Sequence, residues 1–394
     1  MPRWISPFLA AAFALIGLSA PLRADPAPQA PTKGTDLHRT IEDGKLKQMI
    51  GQMVLVGFIG DSVGDDGYKR VVQQAQAGEI TGVIYLGRNI ASLNAVRQLN
   101  DGLQKYAMTR LLIAIDQEGG RIQRLTGEVG FKSVPSQADV AKTLSPDEAG
   151  AVYENLAAAL AGLGFNLNLA PVVDLNVNPA NPIIGKLGRS FSADPQEVEA
   201  YARAFVQAHR AKGVLTALKH FPGHGSSTKD SHKGIADVTK TWSKKELLPY
   251  EDLIASGDVD MVMAAHVINA KLAYSPDIPA SLSRPTLTAL LRDTMHFKGV
   301  VISDDMQMQA ITDNVSFEDS VRRAVMAGND ILIFANDKHP DPAIPEKVAA
   351  ILSEEARRNP EMLERIKKSY ENVMLLKRKL GAAVSQDTSL VREQ

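Results

Sequence analysis

The stretch that decides the fold class is Val300-Val301-Ile302-Ser303-Asp304-Asp305, an apolar run that ends in two carboxylates. Seven similar runs occupy residues 53–58, 82–86, 111–115, 165–173, 214–218, 261–265 and 330–334. They are continuously apolar rather than alternating, which is typical of parallel strands that are buried on both faces. With residues 299–302 they predict eight buried parallel strands.

Helical patterns separate these runs. Ser145-Pro146-Asp147-Glu148 is typical of a helix start with proline in the first turn. Ser243 and Glu246 have the spacing of a capping box, which predicts another helix start. Eight strands that alternate with helices predict an α/β protein with a single (β/α)8 barrel of the TIM type, covering residues 41–382.

The alternative fold is an open, doubly wound sheet. Such a sheet more often carries a glycine-rich dinucleotide turn after its first strand. The corresponding turn here, Gly57-Phe58-Ile59-Gly60-Asp61, lacks the third glycine. Only helical patterns follow the eighth run, so we expect no second domain.

Composition excludes several classes of function. The 394 residues carry a formal net charge of −1, which argues against nucleic acid or a membrane surface as a partner. The chain contains no cysteine, so disulfides, thiolate catalysis and cysteine-ligated zinc are excluded.

The chain ends predict targeting and flexible segments. A basic residue, Arg3, precedes a short apolar stretch, and small residues follow, so residues 1–24 are predicted to be a signal peptide. An uncleaved membrane anchor is the alternative. Residues 25–40 are expected to form a flexible leader and residues 383–394 a disordered tail. Export to the periplasm follows from the signal peptide, and a cytoplasmic location is the alternative if the signal-peptide prediction is wrong.

Polar side chains follow the ends of several predicted strands. Barrel enzymes carry out catalysis at the C-terminal mouth, where the strands end. A charged group at the end of an apolar run is costly to bury unless it is paired or functional. Each group alone has a structural explanation, but their convergence on one mouth predicts an active site. The strand-end groups are Asp116, Glu118, Asp174, Lys219, His220, His266 and Asp304.

The residue types at this mouth favour a neutral, polyhydroxylated substrate. His220 and His224 are four residues apart, but Pro222 and the glycines beside it break any helix that would join them at a metal. Charged neighbours would keep Lys219 protonated, which disfavours a Schiff base. No metal and no cofactor are therefore expected, and the expected partner is a small carbohydrate.

Three blocks resemble one enzyme family. The sequences from Lys219 to Gly225 and from Asp230 to His232 are similar to the signature of family 3 glycoside hydrolases, in the β-N-acetylglucosaminidase branch. The blocks from Asp116 to Arg124 and from Ser303 to Met308 resemble the two other conserved segments of that branch, in the same order. The similarity covers the chain from about Gln48 to the last strand.

The resemblance implies a retaining exo-β-N-acetylglucosaminidase that acts on cell-wall muropeptides or chitooligosaccharides. It implies that Asp304 is the nucleophile and that His232 is the general acid/base, with Asp230 as its partner. A histidine, with an ordinary pKa of about 6.5, suits proton transfer near neutral pH. The resemblance assigns the binding of sugar hydroxyls and the acetamido group to Asp116, Arg124, Arg189, Lys219 and His220.

Three alternatives remain open at this point. A family 3 β-glucosidase or β-xylosidase usually adds a second domain and has tryptophan where Asp305 stands here. A non-catalytic sugar-binding protein of the cell wall would retain the pocket without turnover. Because a histidine does not repel phosphate as a carboxylate would, phosphorolysis beside hydrolysis is a further hypothesis, tested by the appearance of sugar 1-phosphate in phosphate buffer. The natural aglycone, the gluco or galacto preference and the oligomeric state are not determined by the sequence.

Overall fold

Eight parallel strands close into a barrel. The computed structural model describes the backbone of residues 33–390 and the side chains of residues 42–380. The order around the barrel is β1-β10-β9-β7-β5-β4-β3-β2, with parallel pairing throughout. The barrel strands are β1 (Val54–Gly57), β2 (Gly82–Tyr85), β3 (Leu112–Ile115), β4 (Leu167–Asn168), β5 (Leu215–Phe221), β7 (Met261–Ala264), β9 (Val300–Asp305) and β10 (Ile331–Phe334).

The eight predicted strands and the barrel are confirmed, with differences at two strands. The run 165–173 contributes only the two residues of β4, because Pro171 has no N–H for the ladder; Val172 forms an isolated bridge to Lys219. Strand β5 continues to Phe221, beyond its predicted end at residue 218. A small parallel sheet of β6 (Ala236–Asp237) and β8 (Val267–Ile268) lies outside the barrel and was not predicted.

Helices surround the strands. They are α1 (Lys33–Gly51), α2 (Asp66–Ala77), α3 (Leu93–Tyr106), α4 (Gln137–Thr143), α5 (Pro146–Gly162), α6 (Pro195–Ala211), α7 (Leu248–Ala255), α8 (Ala270–Ala273), α9 (Gln309–Thr312), α10 (Phe317–Ala327), α11 (Ile344–Arg358) and α12 (Pro360–Leu390), with a π-helical segment at Pro285–Thr294. Ser145 and Glu148 form the capping box at the start of α5. The capping box predicted for Ser243 and Glu246 is wrong, because the Glu246 carboxyl instead accepts the backbone N–H of Gly225.

The core has an inner and an outer layer. Alternate residues of each strand, such as Leu55 and Ile333, fill the barrel, and their neighbours, such as Val54 and Val56, pack against the helices. Helix α12 adds Val373, Leu376 and Leu380 to the inner layer. Because the strands point their C-terminal ends away from this helix, the opposite mouth is left for a site.

The first and last helices extend into the predicted leader and the predicted tail. Helix α1 includes residues 33–40 of the predicted flexible leader, and α12 includes residues 383–390 of the predicted tail. A helix satisfies its backbone hydrogen bonds locally, so a polar composition does not exclude it. The predicted signal peptide at residues 1–24 lies outside the described residues, and the domain boundaries at 41 and 382 stay predictions. Among the described helices, none has the length and apolar character needed to cross a bilayer.

We expect Lys377→Met to stabilise the protein, and more so at pH 6 than at pH 9.5. The Lys377 ammonium is buried against the base of the barrel and donates to Gln52 Oε1 at 2.7 Å. Burial lowers its pKa to about 7 from an ordinary value of 10.5. The unfolded chain therefore binds the proton more tightly, and the folded state is disfavoured below that ordinary value, with the full penalty below the lowered one.

The expected gain at pH 6 is on the order of 3–5 kcal/mol, at about 1.36 kcal/mol per pKa unit. Gln52 Oε1 keeps a hydrogen bond from Thr109 in the variant, so no polar atom there loses its last partner. Denaturant unfolding of both proteins at the two pH values measures the difference. An equal gain at both pH values would contradict the assignment of the effect to the buried charge.

Candidate active site

A cavity of about 210 Å³ opens at the C-terminal mouth of the barrel. It collects side chains from the ends of different strands and from the loops that follow them. Seven of the eight site residues predicted from the sequence line it, and the eighth, Asp230, contacts one of them. The seven are Asp116, Arg124, Arg189, Lys219, His220, His232 and Asp304.

Asp304 presents an ionised carboxylate to this cavity. It lies at the end of β9, and its Oδ1 accepts the backbone N–H of Asp305 at 2.8 Å. Burial alone would raise the pKa of Asp304, but the positive charges that His266, His220 and His232 can carry outweigh it and hold the pKa below its ordinary value. A carboxylate that stays ionised in a partly buried position is suited to nucleophilic attack.

His266 fixes the backbone beside Asp304. Burial lowers the pKa of His266, so its ring is neutral at neutral pH and acts on Asp304 as a cation only in the acid range in which that carboxyl titrates. Its Nε2 lies 2.9 Å from the carbonyl of Asp305 and therefore carries the proton, while Nδ1 accepts from the Ser281 hydroxyl at 2.7 Å. His266 is thus a hydrogen-bonded structural histidine, as the sequence alone suggested for an isolated histidine.

Asp116 anchors one side of the cavity through two cations. Its Oδ1 accepts from Lys219 Nζ at 2.8 Å, and its Oδ2 accepts from Arg124 Nη2 at 3.1 Å. Burial opposes ionisation of Asp116, but these two cations outweigh it and lower its pKa. The Nε of Arg124 is buried and has no hydrogen-bond partner among the described residues.

Glu118 is a member of this network that the sequence reasoning did not assign. It is buried, and it accepts from Lys219 Nζ at 2.6 Å and from Arg189 at 2.7 and 2.8 Å. Burial would lower the pKa of Lys219, yet Asp116 and Glu118 raise it, so the ammonium stays charged as predicted. The spacing of Asp116 and Glu118, two residues apart after one strand, was the signal available in the sequence.

Arg189 lies in the cavity wall, and its predicted role in binding substrate stays a prediction. Its guanidinium donates two bonds to Glu118, a third to the carbonyl of Ile183 at 3.0 Å, and lies 3.3 Å from His220 Nε2. Most of its five N–H donors are therefore used within the protein. Arg189 lines the cavity, but its contacts mainly hold Glu118 and His220 in place.

Asp174 orients His220 from below. The His220 Nδ1 lies 2.6 Å from Asp174 Oδ2, and the backbone N–H groups of His220 and His224 donate to Asp174 Oδ1 at 3.2 and 2.7 Å. These bonds direct His220 Nε2 towards Arg189. In the part of the chain that the structure describes, no group of three His, Asp or Glu side chains is arranged to hold a metal ion.

His232 and Asp230 form a pair at the open side of the cavity. They lie at the start of the short turn Ser231–Lys233, and His232 Nδ1 is 2.8 Å from Asp230 Oδ1. The side chain of His232 is 57% exposed, whereas Asp304 and Lys219 lie deeper in the cavity wall. With Nδ1 held by the carboxylate, Nε2 is the ring nitrogen left to exchange a proton.

Proteins of known sequence are similar to this chain over most of its length. The family model described as the glycosyl hydrolase family 3 N terminal domain matches residues 45–373. A β-hexosaminidase of Xylella fastidiosa (strain 9a5c) is 36% identical, with 73% of this chain and 84% of that protein covered. β-Hexosaminidase A of Pseudoalteromonas piscicida is 32% identical, and there this chain spans 63% of the relative's length.

Solved structures of similar fold also include family 3 enzymes. A family 3 β-N-acetylglucosaminidase from Paenibacillus sp. str. FPU-7 superposes with a TM-score of 0.78 at 31% identity, covering 85% of this chain and 62% of that one. A β-N-acetylhexosaminidase from Beutenbergia cavernae DSM 12333 superposes with a TM-score of 0.75 at 31% identity, covering 84% and 98%. The family prediction is therefore confirmed, and the chain belongs to glycoside hydrolase family 3.

Proposed function

We propose that the protein is a retaining exo-β-N-acetylhexosaminidase that removes terminal β-linked N-acetylglucosamine. The observation that carries the proposal is that an ionised carboxylate, Asp304, and a carboxylate-paired imidazole, His232, line the same small cavity. The names of two relatives support this activity: this chain covers 84% of a protein named β-hexosaminidase and 98% of one named β-N-acetylhexosaminidase.

In the first step Asp304 attacks the anomeric carbon of the sugar. A C–O bond forms to the carboxylate as the bond to the leaving group breaks, and His232 gives its proton to the departing oxygen. The negative charge on Asp230 stabilises the imidazolium that donates this proton. Glycosidases usually employ a second carboxylic acid here, and the exposed imidazole takes that place.

In the second step His232 reverses its role. Now neutral, it takes a proton from a water molecule, whose oxygen attacks the same carbon and releases the Asp304 carboxylate. Two displacements on one carbon retain the configuration of the sugar.

The opposite side of the cavity is suited to one sugar ring. Asp116 supplies carboxylate oxygens, and Lys219 and Arg124 supply donors, which together match the alternating donors and acceptors of a polyol. A cavity of about 210 Å³ favours a single terminal residue over a long chain. Asp305, which occupies the position of tryptophan in the β-glucosidase alternative, is directly beside Asp304.

For the biological substrate we propose muropeptides or chitooligosaccharides met outside the cytoplasm. The predicted signal peptide supports this location. N-terminal sequencing of the protein from a periplasmic extract tests it, with a start near residue 25 expected. An intact Met1 in the cytosolic fraction would contradict export.

A panel of 4-nitrophenyl β-glycosides tests the activity. We expect kcat/KM on the N-acetylglucosaminide to exceed that on the glucoside and the xyloside by at least about 100-fold, because a site built to bond an amide rejects analogues that lack it. Proton NMR of the reaction should show the β-anomer of the sugar first. A preference for the glucoside, or the α-anomer as first product, would overturn the proposal.

A further inference from the structure

We propose that a buried hydrogen bond between His224 and Ser231 is the positioning contact that holds the His232–Asp230 pair over the cavity. The inference rests on the proposed acid/base role of His232. It assigns functions to two residues that do not touch the substrate cavity themselves.

The contact joins the base of the loop to its functional turn. His224 Nε2 lies 3.1 Å from Ser231 Oγ, and both residues are almost fully buried, at 1% and 2% exposure. His232, the next residue, is more than half exposed. Ser231 is therefore the buried member of the turn and fixes where its exposed neighbours point.

His224 is itself held firmly by the barrel. Its backbone N–H donates to Asp174 Oδ1 at 2.7 Å, and its carbonyl accepts from Asn181 Nδ2 at 2.8 Å. The following residue, Gly225, donates its N–H to the buried carboxyl of Glu246 at 3.0 Å. A ring mounted on a backbone with these partners is a fixed reference point for the turn that carries His232.

The backbone around Gly223 and Gly225 is tightly packed. A Cβ on Gly225 would lie 1.8 Å from the carbonyl oxygen of Leu175, and one on Gly223, whose φ is +119°, would lie 2.7 Å from the Glu246 side chain. Only glycine fits at these two positions. The backbone at the base of the loop is therefore closely packed against Leu175 and Glu246.

The His224 ring is neutral, so the contact does not depend on a charge. Burial lowers the pKa of His224 to about 4, and the nearby charge of His220 acts in the same direction. Its Nδ1 has no hydrogen-bond partner among the described residues. Within that set, the contact to Ser231 is the ring's one hydrogen bond. The ring therefore holds the turn through this bond and makes no other polar contact there.

Loss of the contact would lower the fraction of molecules in which His232 reaches the anomeric centre. The rate of each proton-transfer step falls in proportion to that fraction. The sugar-binding side of the cavity, built on Asp116 and Lys219, is not altered. We therefore expect Ser231→Ala to lower kcat by about 5- to 20-fold. The affinity of the site for the sugar should stay unchanged.

Azide gives a readout that a merely structural defect would not. With a 2,4-dinitrophenyl glycoside, the phenolate departs with little help from a general acid. Slow release of the sugar from Asp304 therefore limits turnover. Azide attacks the anomeric carbon without a general base: a C–N bond forms, the C–O bond to Asp304 breaks, and the carboxylate is regenerated. Azide is expected to restore the turnover of Ser231→Ala and to yield the β-glycosyl azide, as it should for His232→Ala.

Ser227→Ala is the matched control in the same loop. Among the described residues, the Ser227 hydroxyl bonds to the backbone of Lys229 alone, at 2.8 and 3.2 Å, and not to the turn or to His224. Its kcat should stay within about twofold of the wild type. In a His224→Phe background, which removes the ring nitrogen, adding Ser231→Ala should cause little further loss.

The outcomes separate this inference from the proposed function. Wild-type kcat in Ser231→Ala, a loss that azide does not restore, or an equal loss in Ser227→Ala would each overturn the positioning role. If His232→Ala is rescued by azide and Ser231→Ala is not, only the positioning role fails. If His232→Ala itself shows neither loss nor rescue, the acid/base assignment fails first.

Discussion

Asp304→Asn is expected to lower kcat/KM by about 10⁴-fold or more on any β-N-acetylglucosaminide, because it removes the proposed nucleophile. The amide is nearly the same size as the carboxylate and can still accept the backbone N–H of Asp305 through its oxygen. The fold and the sugar-binding side should therefore persist. Steady-state kinetics and binding of N-acetylglucosamine by calorimetry measure the two effects separately.

Asp305→Asn is the matched control for that substitution. Asp305 is the next residue on β9, and burial raises its pKa to about 6. Its Oδ1 accepts the backbone N–H groups of Gln307 and Ala335 at 3.1 and 3.0 Å, and an amide oxygen can accept both. We expect a loss of less than about tenfold, because no bond to the substrate carbon is proposed for this residue.

Two results would decide against the mechanism. Unchanged turnover in Asp304→Asn would exclude the nucleophile assignment. If neither the wild type nor the variant turned over any glycoside while both bound the sugar, the protein would be the non-catalytic sugar-binding alternative.

The barrel could be predicted from sequence because its signal is local. Each buried strand is a continuous apolar run, and the reactive groups follow those runs directly, as Asp116 and Asp304 do. The closing of eight such units into one barrel then places their ends at a common mouth. Strands β6 and β8 have only two residues each, which is too short for a periodic pattern to predict them.

Roles set by distant partners could not be predicted. Arg189 looked like a free clamp in the sequence, and only the fold brings Glu118, 71 positions earlier, against its guanidinium. Glu246 had the spacing of a helix cap, yet it bonds to Gly225 because the loop after β5 lies over it. Short-range preferences are overridden where a tertiary partner satisfies the same polar group.

His232→Ala should produce a loss that depends on the leaving group. For phenyl or alkyl β-N-acetylglucosaminides, whose departing oxygen needs a proton, we expect kcat/KM to fall by about 10²- to 10⁴-fold. For the 2,4-dinitrophenyl glycoside, kcat/KM should change by less than about tenfold, while kcat falls because hydrolysis of the glycosyl-enzyme still needs a base. A plot of log kcat/KM against leaving-group pKa should therefore be much steeper than for the wild type.

His339→Ala provides the matched control for a lost histidine at the same mouth. His339 is exposed on the loop after β10, and within the described part of the chain its one hydrogen bond near this mouth is through its carbonyl, which accepts from Gln307 Nε2 at 3.3 Å. Its leaving-group dependence should be that of the wild type. A uniform loss for all leaving groups in His232→Ala would mean that this imidazole shapes the cavity without transferring a proton. The carboxylate-plus-imidazole mechanism predicts instead that the steep dependence belongs to His232 and, in weaker form, to variants of the residues that position it.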